Sequence, residues 1–351
     1  MACMTPTFKW SRRAFVGTAL VGAGAAAGAL IRQGQNPGPS SQPPGEVQKE
    51  GFAYDVVEFE NTDPRHLLYE PTGSFDTGFD HVKRLATAPG GFVFVAGDRS
   101  VKLLNALGVL HGQIKLERPP HCLHVTGADE LLVGFGDYFE AYDFSGKQKH
   151  RSQRFGKGTF LTAIGSCDTL LFLADAGHRE VLVCNRRTGE IRSRFGKKDD
   201  AAGVPGFVVP SPYFDLAVSR DRLLIANPGR LRIESYTFDG HFESSWGQPG
   251  MAIDHFCGCC NPVYFARLPD GGIITSEKGL ARVNCYTGTG VFKGAVAGPE
   301  TLVDDKALAK RACADCRLGA GFDVACENSE RVFVLDPFRK IVRMFRLRQL
   351  T

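Results

Sequence analysis

The chain has 351 residues, 43% of them hydrophobic, with 42 Lys and Arg, 38 Asp and Glu, and 11 Cys. Lys9, Arg12, Arg13 and Arg32 all precede the first acid, Glu46, so the remainder carries 38 basic against 38 acidic residues. A neutral body of this kind has no general pull on nucleic acid, and its length of about 300 residues suits one domain better than two.

The N-terminal stretch reads as an export signal. Ser11-Arg12-Arg13-Ala14-Phe15-Val16 has the twin-arginine pattern, followed by an uncharged Ala- and Gly-rich run to Ile31. The twin-arginine translocase carries folded passengers, so the expected location is periplasmic or secreted. The run is almost long enough to span a membrane, which would leave the protein tethered if the signal were retained, but its glycines disfavour a spanning helix. Ala27-Gly28-Ala29 is a diffuse candidate for cleavage, and Cys3 precedes the arginines, so no lipobox cysteine follows them. Residues 32–51 then shift to Pro, Gly, Ser and Gln, a composition that builds no core and reads as a disordered linker.

From residue 52 to 351 the pattern is strand after strand. YDVVEF and HLLYE come first and lack a blade of their own. Six similar units follow. Their second strands are VFVAGD, LLVGFGD, LLFLAD, LLIAN, GIITSE and VFVLDP. A partner succeeds each: VKLLN, FEAYDFSG, EVLVCNRRTG, LRIESYTFDG, ARVNCYTGTG and KIVRMFRL. Four units close on Phe155-Gly156, Phe195-Gly196, Trp246-Gly247 and Ala297-Gly298. Short runs rich in Val, Ile, Phe and Tyr, broken by Pro-Asp-Gly or Thr-Gly-Thr-Gly turns, are antiparallel strands. Repetition at about 40 residues, all of it strand, predicts an all-β, six-bladed β-propeller. The last unit, Phe322 to Leu347, has three strands, so an N-terminal strand is expected to supply the fourth and seal the ring.

On Leu173-Ala174-Asp175 and Arg282-Val283-Asn284-Cys285-Tyr286 the repeat resembles the NHL family of six-bladed propellers, over about Phe75 to Leu347. That family includes lyases, lactonases, RNA binders and ligand sensors, so the resemblance implies the fold and leaves the activity open. His255-Phe256-Cys257-Gly258-Cys259-Cys260-Asn261-Pro262, ahead of Ser276-Glu277-Lys278-Gly279, is similar to a group of exported bacterial NHL proteins with a Cys-x-Cys-Cys loop.

The unit spacing is even at first, with 39 and 38 residues separating Asp98, Asp137 and Asp175. Insertions then appear at 197–212, 248–261 and 299–320, each between an outer strand and the next inner one. Such connections share one face of a propeller with the turns between second and third strands, so a loop-bearing rim is predicted there. Cys257, Cys259 and Cys260 occupy one insertion, Cys313 and Cys316 another, and Cys326 follows in the last inner strand. These six are candidate metal ligands for zinc or an iron–sulfur cluster, since Cys-x2-Cys directs two sulfurs at one centre. In an oxidising compartment disulfides are the main rival, and a reactive redox pair is the third alternative. Adjacent Cys259 and Cys260 are expected to point apart unless the loop curls tightly. Cys122, Cys167, Cys184 and Cys285 stand singly and read as buried thiols.

His81, His121 and His255 are a second candidate metal set at the channel mouth, with Asp215 and Asp323 in equivalent inner-strand positions. A channel metal is how related propeller lyases and lactonases work. The rival account is a polar lining to a wet channel. Glu277, Lys278 and Arg282, beside the cysteine loop, either hold an anionic ligand or form a charged turn. The leading expectation is an exported propeller that binds a ligand or protein partner through its loop-bearing face. The alternative is a metal-dependent lyase or hydrolase, or a redox protein, using the channel mouth and the cysteines.

Overall fold

The computed structural model describes residues 57–349 apart from 128, 199–205, 306 and 308–320. The signal, the linker, Cys313 and Cys316 lie outside the described residues. Six four-stranded antiparallel sheets follow one another, and their inner strands touch in sequence until the sixth returns to the first. The ring is closed as expected. Tyr69–Asp76 joins the last sheet as its outer strand, with Tyr69 opposite Leu347 and Phe75 opposite Val342. One expectation needs correcting: Val57–Phe59, within YDVVEF, is a 3-10 turn rather than a strand.

Burial explains the apolar composition of the second strands. Phe92–Gly97, Leu170–Asp175 and Arg331–Asp336 are buried at nearly every position, because each lies mid-sheet between two neighbouring blades. Strands packed on both faces lose polar alternation and become continuous apolar runs. Outer strands such as Gln148–Arg151 and Phe242–Trp246 are mostly exposed and correspondingly polar.

Adjacent blades are keyed by aromatic side chains lying on turn glycines. Phe75 sits against Gly108, Phe195 against Gly240 and Trp246 against Gly290; an added Cβ would come within 2.6, 2.5 and 2.3 Å of them. Gly290 also has φ of +85°, which a residue with a Cβ adopts only at a cost. Phe75 belongs to the N-terminal strand and Gly108 to blade one, so this key also locks the closure. The basic run near the C-terminus is paired: Arg339 and Arg343 both reach Asp336, and Arg346 reaches Glu70 at 2.9 Å.

Candidate functional site

The residue ending each second strand does a structural job at the loop-bearing rim. Asp98 accepts the His81 N–H at 2.8 Å, Asp175 the Phe160 N–H at 2.9 Å, and Asn227 the Val208 N–H at 3.0 Å. In each case the donor belongs to the chain entering the same blade. Blade five follows the rule with a longer side chain, as Glu277 accepts the Cys257 N–H at 2.8 Å. The extra methylene lets the same carboxylate meet Arg282, at 3.2 and 3.0 Å, with both residues almost wholly buried.

Arg282 in turn organises the cysteine insertion. It donates to the carbonyls of Met251, Ala252 and His255 at 2.9–3.1 Å, while Asn284 holds that of Ile253 at 2.9 Å. Asn261 closes the loop from the other side, donating to the carbonyls of Cys257 and Lys278 and accepting the Lys278 N–H. These side chains thus satisfy loop carbonyls that no strand pairing reaches. Lys278 bends over the Tyr213 ring, 4.5 Å from its centre, and donates to Ser211, joining this insertion to the preceding one. Glu277 and Arg282 therefore support the rim from beneath, and Lys278 links two of its loops.

Within this frame the sulfurs of Cys259 and Cys260 lie 3.6 Å apart. The loop does curl tightly, with Gly258 at φ of +75°. Cys259 is exposed; Cys257 and Cys260 are buried. Burial, then the Glu277 charge, pushes the Cys257 thiol up to about 12. No disulfide joins any two of the described cysteines. Cys326 does not join the rim. It ends the inner strand Asp323–Cys326 on the far side and packs in the same apolar cluster as Cys285.

A buried charged cluster plugs the channel at its centre. Arg84, from the inner strand Val82–Ala88, donates to Asp323 at 3.0 Å, to Asp215 at 3.2 Å and to the Thr162 carbonyl at 2.9 Å. It also lies over the Tyr264 ring, 4.5 Å from the centroid. Five blades thus converge on one guanidinium. Each carboxylate takes a backbone N–H as well, Leu85 on Asp323 at 2.7 Å and Phe265 on Asp215 at 3.1 Å. Burial alone would lower the Arg84 pKa, but Asp323 and Asp215 outweigh it and raise it. One cation faces two carboxylates, and burial pushes Asp323 up to about 6 against the pull of Arg84.

The Asp323 carboxyl binds its proton more tightly folded than unfolded, where 3.8 is the ordinary value. Its contribution to stability is therefore present below about 4 and lost as pH rises through about 6. Asp323→Asn, which cannot titrate, is expected to remove that step. In paired urea unfolding from pH 4 to 7, the wild type should lose stability relative to the variant as pH rises. Parallel profiles would refute the assignment.

The three imidazoles do not come together. His81 is exposed at the edge of blade one, and His255 lies in the cysteine insertion, 3.9 Å from Asp254. His121 packs on Phe160 at blade two, and burial, reinforced by Lys83, pushes it down to about 4. Among the described residues, the grouping close enough to share a cation is Asp175, His178 and Glu180, with ligand atoms within 4.8 Å. Asp175 is committed there to three backbone N–H groups and the His178 ring, and Glu180 to Arg194 at 2.6 Å. Sequence reasoning missed Arg84: its partners lie more than a hundred residues away, and its place inside an inner strand was the one local trace.

No protein-family model matches the chain, and no curated protein matches it. Solved structures share its fold. A catalytically inactive virginiamycin B lyase from Staphylococcus aureus, solved with quinupristin, has TM-score 0.51 and 12% identity over 76% of this chain and 80% of that one. A Bacteroides thetaiotaomicron protein of unknown function gives 0.51 and 13% over 80% and 73%. A streptogramin B lyase gives 0.50 and 10% over 80% and 98%. At such identities the likeness is one of fold.

Proposed function

We propose that this is an exported propeller of the NHL kind, carried by the twin-arginine route, whose loop-bearing rim binds a ligand or protein partner. The Cys259 and Cys260 thiols of the blade-five insertion hold a soft metal ion that shapes this rim. The observation carrying the proposal is the 3.6 Å separation of the Cys259 and Cys260 sulfurs. Two thiolates on one tetrahedral zinc, each at about 2.3 Å, stand about 3.8 Å apart. The remaining donors are a matter for the metal analysis, since Cys313 and Cys316, the other candidate ligands, lie outside the described residues. The alternative of a lyase finds support in the kinship of fold with virginiamycin B and streptogramin B lyases, but fold alone does not carry an activity.

The test is metal content. Protein recovered anaerobically through its export route is expected to carry near-stoichiometric zinc or iron. Cys259→Ser/Cys260→Ser should lose it while keeping its melting temperature without metal. Metal-free wild type whose Cys259 and Cys260 thiols both titrate at once would overturn the metal site.

A further inference from the structure

The rim carries the long loops, yet a large cavity opens on the other face. It has a volume of about 760 Å3 and lies between the short turns of blades three and four. Four of the six inner strands reach it, through His124, Ser166, Val218 and Arg267 among others. It therefore occupies the channel mouth away from the long loops. Its size is that of a small-molecule site.

Arg267 is the unusual group here. It ends the inner strand Tyr264–Arg267 and is half-buried, yet it makes no hydrogen bond or ion pair among the described residues. Arg84, Arg282 and Arg343 lie in comparable or deeper positions, and each holds a carboxylate. None of its nitrogens is among the buried, unpartnered side-chain atoms, so the guanidinium keeps access to solvent and a ligand entering the cavity can reach it. Across the cavity His124 Nε2 and Ser166 Oγ form a polar pair at 2.9 Å, and burial, with Arg186 nearby, pushes His124 down to about 4. The pair is thus uncharged at neutral pH and available to hydrogen-bond a ligand. Ile164, Leu216 and Val218 supply apolar walls.

We propose that this mouth binds a small organic monocarboxylate with a compact apolar body. The carboxylate meets Arg267 through two parallel N–H···O bonds, the arrangement a planar guanidinium favours. The apolar body lies against Ile164, Leu216 and Val218. Arg220, exposed at the entrance, adds a second positive charge that steers anions inward. Two acids also line the entrance. Asp221 is held by Arg222 at 3.3 Å, whereas Asp168 has no ion pair among the described residues and repels additional negative charge. That balance favours a monoanion over a polyanion. The site lies on the face opposite the cysteine rim and stands independently of the function proposed for it.

The full chain, titrated calorimetrically with benzoate and with phenylacetate, is expected to show saturable one-to-one binding, and with benzamide none. Arg267→Gln should weaken carboxylate binding at least tenfold and Arg220→Gln about two- to fivefold, while Arg118→Gln, on a distant exposed arginine, leaves it unchanged. Should Arg267→Gln fail to fold, the wild type answers alone. Phenylglyoxal modification of Arg267, mapped by mass spectrometry, should slow in the presence of benzoate. No saturable carboxylate binding, binding of inorganic phosphate only, equal affinity for benzamide, or no protection of Arg267 would each overturn the proposal.

Discussion

Replacing Arg84 with Leu is expected to be among the most destabilising single changes in this protein, at about 3–5 kcal/mol by urea unfolding at pH 7. The reason is the company it leaves behind. Asp215 and Asp323 are both about 2% exposed, and without the guanidinium two like charges face each other in the ring's centre. The blades also lose a common tie, since Arg84 bonds residues of blades three, four and six. The loss should shrink at pH 5, where the raised Asp323 carboxyl takes up a proton and relieves the repulsion. Converting all three residues together, Arg84→Leu/Asp215→Asn/Asp323→Asn, should recover part of the deficit, because a neutral cluster has less charge to desolvate. A loss below about 1 kcal/mol for Arg84→Leu would show that the plug does not hold the ring.

How far the sequence disclosed this arrangement depends on where each signal is written. The blades were legible because their second strands are buried on both faces, so their composition is fixed along a whole run. The closing strand was legible only by counting. Tyr69–Asp76 contains Pro, Gly and two acids, and its burial is confined to Tyr69 and Phe75, so no alternation betrays it. Its place followed from the missing fourth strand of the last blade. Asp215 and Asp323 were marked by their equivalent positions, but their partner comes from a third blade more than a hundred residues distant in each case. Pairing across that separation leaves no local pattern. Glu277 is the instructive intermediate. It occupies the position taken elsewhere by Asp98, Asp175 and Asn227, and the substitution of a longer acid in the repeat was the trace of the added Arg282 contact. The Cys259–Cys260 contact depended on loop curvature, which spacing alone does not fix.

Arg282→Met should release the cysteine insertion. Three loop carbonyls, of Met251, Ala252 and His255, lose their donor together, and Glu277 keeps a buried charge with no cation beside it. Breaking a buried pair on one side costs about 3–5 kcal/mol, and a loop opens before a sheet does, so most of this falls on local opening. The global unfolding midpoint should accordingly move less than the local equilibrium. The readout is the Cys257 thiol. It is 4% exposed and held up at about 12, so in the wild type both access and ionisation suppress its reaction with iodoacetamide at pH 8. Opening restores both at once. A local loss of about 3 kcal/mol corresponds to roughly a hundredfold larger open fraction, and pulse alkylation mapped by mass spectrometry should find Cys257 labelled faster in that proportion. Cys122, buried in another blade and bonded to none of these groups, is the internal control and should keep its rate. Equal labelling of Cys257 in both proteins would mean that Asn261 and Lys278 hold the loop without Arg282, and the buried pair would then be a passenger of the rim rather than its support.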